Sequence, residues 1–223
     1  MIIAIDGPAG SGKSTTARAV AARLGFRYLD TGATYRALAL AADRLGLDPE
    51  TFAHVLPEVD LDVRYDGDGA QHVWLDGEDV TDALRAREMG PAASAIGRYP
   101  AVRERLVALQ REIGKTIAAR EGGVVLDGRD IGTVVFPDAD VKVFMVADAG
   151  ERARRRHAEL YARGEDSDVQ LLEAEIVARD AQDAARSVGP LRPAEDAVHL
   201  DTTRLTPEEQ VDFVVRLARD RKP

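Results

Sequence analysis

Eight consecutive residues near the start of the chain, Gly7-Pro8-Ala9-Gly10-Ser11-Gly12-Lys13-Ser14, follow the spacing G-x-x-x-x-G-K-[ST], which suits the wrapping of a polyphosphate. The glycines let backbone amides turn inward onto phosphate oxygens, and a helix opening at Lys13 adds the positive end of its dipole. Lys13 bridges the outer phosphates of ATP, the Ser14 hydroxyl can ligate Mg²⁺, and Thr15 follows on the same nucleotide-facing turn. The spacing carries this meaning only between a strand and a helix. Both flanks are legible: Ile2 to Ile5 is a short β-branched run, and Lys13 to Leu24 is periodic like a helix. A mere glycine-rich turn is the alternative, and a chance match with both flanks in place is rare.

A phosphate loop does not by itself separate kinases from GTPases, motors or transporters, so a second substrate must be sought elsewhere in the chain. There is no Asn-Lys-x-Asp tetrapeptide for reading guanine and no long insertion. A short chain with a small insert and a late arginine-rich helical segment suits a kinase whose lid excludes water from the transferring group. Arginines cluster at Arg152, Arg154, Arg155 and Arg156 and again at Arg179 and Arg186, where they can meet phosphates. The bland reading is a solvated helix face balanced by Glu151 and Glu159. Arg179, Asp183 and Arg186 recur at i, i+4 and i+7, which puts two cations and a carboxylate on one helix face, or else makes an ordinary exposed salt-bridge ladder. Asp127, at the end of the Val124 to Leu126 run, is placed to act on the same Mg²⁺ directly or through water, or to cap the turn that follows. An acceptor phosphate is already an anion, so no general base is required.

The elements that must hold these groups alternate. Strand-like runs at Ile2 to Ile5, Val124 to Leu126, Val141 to Val146 and Ala197 to Leu200 are separated by helical stretches. Those run from Lys13 to Leu24, Thr34 to Leu45, Ala101 to Ala119, Gly150 to Ala162, Val169 to Ala185 and Pro207 to Arg219. This alternation implies a parallel sheet covered on both faces. Leu61 to Tyr65 and His72 to Leu75 break it, reading as half-exposed strands around Asp66-Gly67-Asp68-Gly69 in a small antiparallel insert that packs on the main sheet.

Composition bounds the rest. With 223 residues, 45% of them hydrophobic, the chain buries one substantial core. A net charge of −9 argues against polynucleotide binding. The absence of cysteine excludes disulfides, thiolate zinc sites and cysteine nucleophiles, and His54, His72, His157 and His199 stand at no metal-ligand spacing. No apolar run reaches membrane-spanning length and the start carries no leader pattern, so a cytoplasmic, membrane-free monomer is expected.

Four runs are familiar, the first of them entering the phosphate loop: Asp6-Gly7-Pro8, then Leu29-Asp30-Thr31-Gly32-Ala33-Thr34-Tyr35-Arg36, then Asp127-Gly128-Arg129-Asp130-Ile131-Gly132-Thr133-Val134-Val135-Phe136-Pro137, and Pro190-Leu191 before Asp201-Thr202-Thr203. Across almost the whole chain the sequence resembles the bacterial cytidylate kinases. The resemblance implies an α/β P-loop kinase sandwich of three layers, with a central parallel sheet, an antiparallel insert at about 60–100 and a short helical lid at about 152–186, within one domain over 1–223. It implies ATP, with Mg²⁺, as donor and CMP or dCMP as acceptor. Arg36 and Arg129 match monophosphate-holding arginines, with Thr31 beside them, and Asp183 matches a group that meets the sugar hydroxyl. Arg179 and Arg186 match phosphate contacts, so that Lys13, Arg129 and Arg186 act on the transferring group. Ser94, Arg103 and Asp130 match the cytosine-reading positions. The chain departs from many relatives at Gln182 and Ala184, where arginines are expected, and Arg155 or Arg156 is the candidate to supply that lid charge. Another P-loop kinase, acting on UMP or shikimate, and a non-catalytic nucleotide-binding protein are the alternatives.

Overall fold

The β-branched runs assemble into the parallel sheet that their alternation with helices implies. A computed structural model describes residues 1–56 and 59–221, so residues 57–58, 222 and 223 of the expected 1–223 domain lie outside it. The sheet contains β1 (Ile2–Asp6), β2 (Arg27–Asp30), β6 (Val124–Gly128), β7 (Val141–Val146) and β8 (Val198–Asp201), all parallel, in the order β2-β6-β1-β7-β8. Its centre, β1, carries the phosphate loop out of its carboxyl end, where ligands bind in open α/β sheets.

Alternation along the strands divides the core between two faces. Ile3 and Ile5 point with Val125, Val143 and Met145 toward α1 (Lys13–Leu24) and α8 (Pro207–Asp220), which answer with Ala17, Val20, Val211, Val214 and Ala218. Ala4, Leu29 and Leu126 point the other way, toward Val107 and Ile117 of α5 (Pro100–Glu121) and toward Ile131, Val135 and Phe136.

A third cluster joins the insert to the helices beside the site. The insert is β3 (Leu61–Tyr65), β4 (Gln71–Leu75) and the short β5 (Glu78–Asp79), antiparallel throughout. Val73 and Leu75 pack with Ala37 and Leu38 of α2 (Thr31–Arg44), Phe52 of α3 (Pro49–Val55), Ile96 of α4 (Met89–Ile96) and Leu106. Polar pins hold the insert to the sheet edge. The Gln71 side chain accepts from the Asp30 amide at 2.7 Å and donates to the Asp30 carbonyl, while the Tyr65 hydroxyl donates to the Tyr28 carbonyl. The lid is a pair of helices, α6 (Ala149–Tyr161) and α7 (Val169–Ala184), joined by Ala153, Leu160, Leu172 and Ile176. Among the described residues no helix is long and apolar enough to cross a membrane.

Several boundaries differ from those expected, each for a local reason. The α2 helix begins at Thr31 rather than Thr34, because the Asp30 carboxylate accepts the Ala33 amide and caps the turn. Strand β2 was not expected at all: Arg27-Tyr28-Leu29-Asp30 lacks an apolar pattern and is fixed by its ladder to β6. The α3 and α4 helices are seven and eight residues long, too short to show a period. Helix α7 stops at Ala184, so Arg186 lies beyond it and does not share a helical face with Arg179 and Asp183 in the way the spacing suggested.

Candidate active site

The phosphate loop is shaped by close approach of backbone to backbone. A Cβ on Gly7 would lie 2.1 Å from the Met145 carbonyl oxygen, so only glycine fits where the loop leaves β1. Gly12, at φ 89°, precedes α1 without any side-chain cap, which leaves the first amides of that helix free for an anion. Lys13 is buried inside the loop and its Nζ donates to the Pro8 carbonyl at 3.3 Å. Burial pushes its ammonium down to about 7, and the Arg129 and Arg179 cations add to the shift while Asp127 opposes it. The Ser11 hydroxyl is buried without a partner, and Thr15 is exposed on the first turn of α1.

Asp127 is the fourth residue of β6, opposite Asp30 of β2 and Ile5 of β1. Its carboxylate accepts from the Ser14 hydroxyl at 2.6 Å and from the Tyr28 hydroxyl at 2.7 Å. It therefore faces the phosphate loop and does not cap the following turn, whose amides go to Asp6 instead. Burial, reinforced by the Asp30 charge, raises its pKa. A hydroxyl and a carboxylate in contact fit the oxygen-donor chemistry of Mg²⁺, which takes one or two protein oxygens and fills its shell with phosphate and water. Among the described residues no group of three or more His, Cys, Asp or Glu could hold a metal ion.

Residues expected on the acceptor side gather around Asp183, which is buried and takes the Ser94 hydroxyl at 2.8 Å, Arg129 Nε at 3.2 Å and Arg186. Burial alone would push this carboxyl up, but the Arg129 and Arg186 cations and the Ser94 bond hold it below the usual carboxylate range. Cations outnumber it. Arg179 is pushed down to about 10 by burial and by Arg129, and the Nε atoms of both Arg179 and Arg186 are buried without partners. Arg36 pairs with Asp30 at 2.8 Å. Thr31 lies at the same helix start, but its hydroxyl is committed to the Asp127 carbonyl at 2.7 Å.

The expected base-reading residues come from three elements, since Ser94 is on α4, Arg103 on α5 and Asp130 just past β6, so Arg103 falls outside the insert at 60–100. Arg103 and Asp130 form a buried ion pair with each other, and the Tyr35 ring lies under the Arg103 guanidinium at 5.7 Å. Ser94 belongs to the Asp183 and Arg186 group, where its hydroxyl also receives Arg186 at 3.1 Å.

The two lid candidates part company. Arg155 reaches the Thr202 hydroxyl and carbonyl, and Thr202 in turn donates to the Ser11 carbonyl of the phosphate loop. Arg156 pairs with Glu159 on its own helix. The lid residue that touches the phosphate loop itself is Arg152, which donates to the Ala9 carbonyl at 3.0 Å and pairs with Asp180. Arg152 was visible in the sequence only as one arginine among four. Tyr28 was missed because its partner is brought to it by strand register.

A family model described as Cytidylate kinase matches residues 3–220. A cytidylate kinase of Salinibacter ruber is 54% identical over 222 residues, covering 96% of this chain and 95% of the relative. One from Pelodictyon phaeoclathratiforme is 48% identical, covering 100% of this chain and 96% of its own. A crystal structure of an uncharacterized protein from Eubacterium ventriosum, 11% identical, superposes with a TM-score of 0.52 over 97% of this chain and 96% of its own, a likeness of fold alone.

Proposed function

The chain belongs to the cytidylate kinase family, and we propose that it moves the terminal phosphoryl group of ATP onto CMP and dCMP in a single in-line displacement. An oxygen of the acceptor phosphate forms the new bond to Pγ as the bond from Pγ to the β,γ-bridging oxygen breaks, releasing ADP. The acceptor oxygen needs no deprotonation, so the protein's work is to position two anions and neutralise them.

The carrying observation is the gathering of five cations, Lys13, Arg36, Arg129, Arg179 and Arg186, against three carboxylates, Asp30, Asp127 and Asp183, with Arg129 and Arg179 close enough to depress the lysine. Such an excess of partly buried cation is offset when anions share it. In this reading the free amides after Gly12 and the Lys13 ammonium hold the donor phosphates. Arg36 and Arg129 hold the acceptor phosphate beside Thr31. Arg179 and Arg186 stabilise charge on the transferring group, and Asp183 accepts from the sugar hydroxyl. Ser14 and Asp127 would hold Mg²⁺, which neutralises phosphate charge when bound. Arg152 and Arg155 fix the lid against the phosphate loop, offsetting the absence of arginine at 182 and 184.

Cytosine would enter between Arg103 and Asp130, exchanging their mutual pairing for its own donor and acceptors. The chain acts as a monomer in the cytoplasm on small nucleotides, and its net charge of −9 supports the exclusion of polynucleotides.

The test is ADP release from ATP and Mg²⁺ with CMP, dCMP, UMP, AMP, GMP or shikimate added in turn. Stimulation is expected with CMP and dCMP above all others. Unstimulated, slow release with every acceptor would support the non-catalytic reading, and stimulation by shikimate would support a different kinase.

A further inference from the structure

Asp6 is the last residue of β1 and immediately precedes Gly7, the first residue of the phosphate loop. Its side chain is buried and turns away from that loop. Oδ1 accepts the Ile131 amide at 2.8 Å and Oδ2 accepts the Gly132 amide at 2.7 Å. These amides follow directly on Arg129 and Asp130. The far end of the same turn is closed by the Asp130 carbonyl, which accepts the Val134 and Val135 amides. A Cβ on Gly132 would lie 3.4 Å from Asp6 Oδ2 and 3.2 Å from Lys142 Cδ, so glycine there keeps the approach to the carboxylate uncrowded.

Among the described residues no cation pairs with Asp6, and the Lys142 ammonium nearby is taken by Asp196 and the Pro137 carbonyl. A buried carboxylate without a paired cation costs stability that an apolar residue of similar size would not. Burial pushes this carboxyl up to about 7 even against the two amide bonds. Packing alone therefore does not account for an aspartate here. What a carboxylate uniquely supplies is two acceptor oxygens that can take two successive amides at once.

We propose that Asp6 is a positioning residue for phosphoryl transfer, fixing the turn that carries Arg129 and Asp130 in register with the phosphate loop, so that one carboxylate sets the distance between the donor and acceptor halves of the site. It touches neither substrate. The inference rests on the reading of Arg129 and Asp130 as acceptor-holding residues. Absence of CMP-stimulated ADP release in the unmodified enzyme would remove that reading, whereas the variants below test Asp6 alone.

Asp6→Asn keeps the shape but turns one acceptor into a donor that faces a backbone N–H, and Asp6→Ala removes both bonds. Displacement of a reacting group by about 1 Å costs on the order of a hundredfold. In both variants KM for CMP is expected to rise about tenfold and kcat to fall about tenfold, with the advantage of CMP over UMP reduced. The Kd for ATP, measured by displacement of a fluorescent ATP analogue, should stay within about threefold. Unchanged kinetics, or equal losses of ATP and CMP binding that track a fall in Tm, would overturn the assignment. Should neither variant fold, amide exchange in the unmodified protein decides. CMP alone must slow exchange at Ile131 and Gly132 more than ATP alone, and the reverse order would overturn it.

Discussion

Lys13→Ala is expected to lower kcat by about 10³-fold or more while leaving the protein folded, because it removes the cation that follows charge onto the transferring phosphoryl group. The two halves of this expectation have separate physical grounds. Lys13 sits at the mouth of α1, inside the loop shaped by Gly7 and Gly12, while the other lysines among the described residues are Lys115 on α5 and Lys142, whose ammonium is taken by Asp196 and the Pro137 carbonyl. Its burial pushes the ammonium down to about 7, so the folded state holds that charge at a cost. Alanine removes the cost and sacrifices only a 3.3 Å bond to the Pro8 carbonyl. Circular dichroism and thermal melting should therefore match the unmodified protein within a few degrees. Near-normal turnover in the variant would contradict the role given to the phosphate loop.

Arg129→Ala is expected to reduce kcat/KM for CMP by about a hundredfold or more, through both a higher KM and a lower kcat, since the phosphate it would hold is the nucleophile itself. Arg129 is one of three groups on the Asp183 carboxylate, so its loss also loosens the group proposed to meet the sugar. The donor half is built from other elements, namely β1, the loop after it and α1. ATP affinity should accordingly change little. Loss of ATP binding with CMP binding intact would reverse the assignment of the two halves.

The donor half was legible in the sequence because its chemistry is contiguous. Gly7 to Ser14 lie in one stretch, and the strand and helix that frame them are regular. The proposed acceptor half is assembled from α2, α4, α5, the end of β6, α7 and the segment past it. Composition and periodicity do not join such distant segments, so Arg36, Ser94, Arg103 and the sugar-contacting role of Asp183 were reached through family resemblance. Tyr28 and Asp6 escaped for a different reason. Each acts through a partner set by the sheet, Tyr28 on Asp127 through the β2 to β6 ladder and Asp6 on the turn after β6. Pairing of parallel strands far apart in the chain leaves no mark on either strand alone. Arg186 shows the converse failure, since its helical spacing to Arg179 and Asp183 was correct in placing the three together, but α7 ends first and Arg186 reaches Asp183 from beyond it.

The most direct test of the whole account is the ratio of kcat/KM for CMP and UMP in the unmodified enzyme, followed by the same ratio in Asp130→Ala. Cytosine presents an amino donor beside ring N3 and O2 acceptors, which suits a carboxylate and a guanidinium, whereas uracil sets its O4 acceptor against Asp130 and its N3 donor against Arg103, so a base that parts the buried pair does not repay the contacts it breaks. At roughly 1 to 3 kcal/mol for each unsatisfied group the penalty is about tenfold to several hundredfold. The account predicts an advantage for CMP of at least about tenfold, narrowed in Asp130→Ala chiefly because CMP becomes the poorer substrate. Equal efficiency toward CMP and UMP in the unmodified enzyme would contradict it.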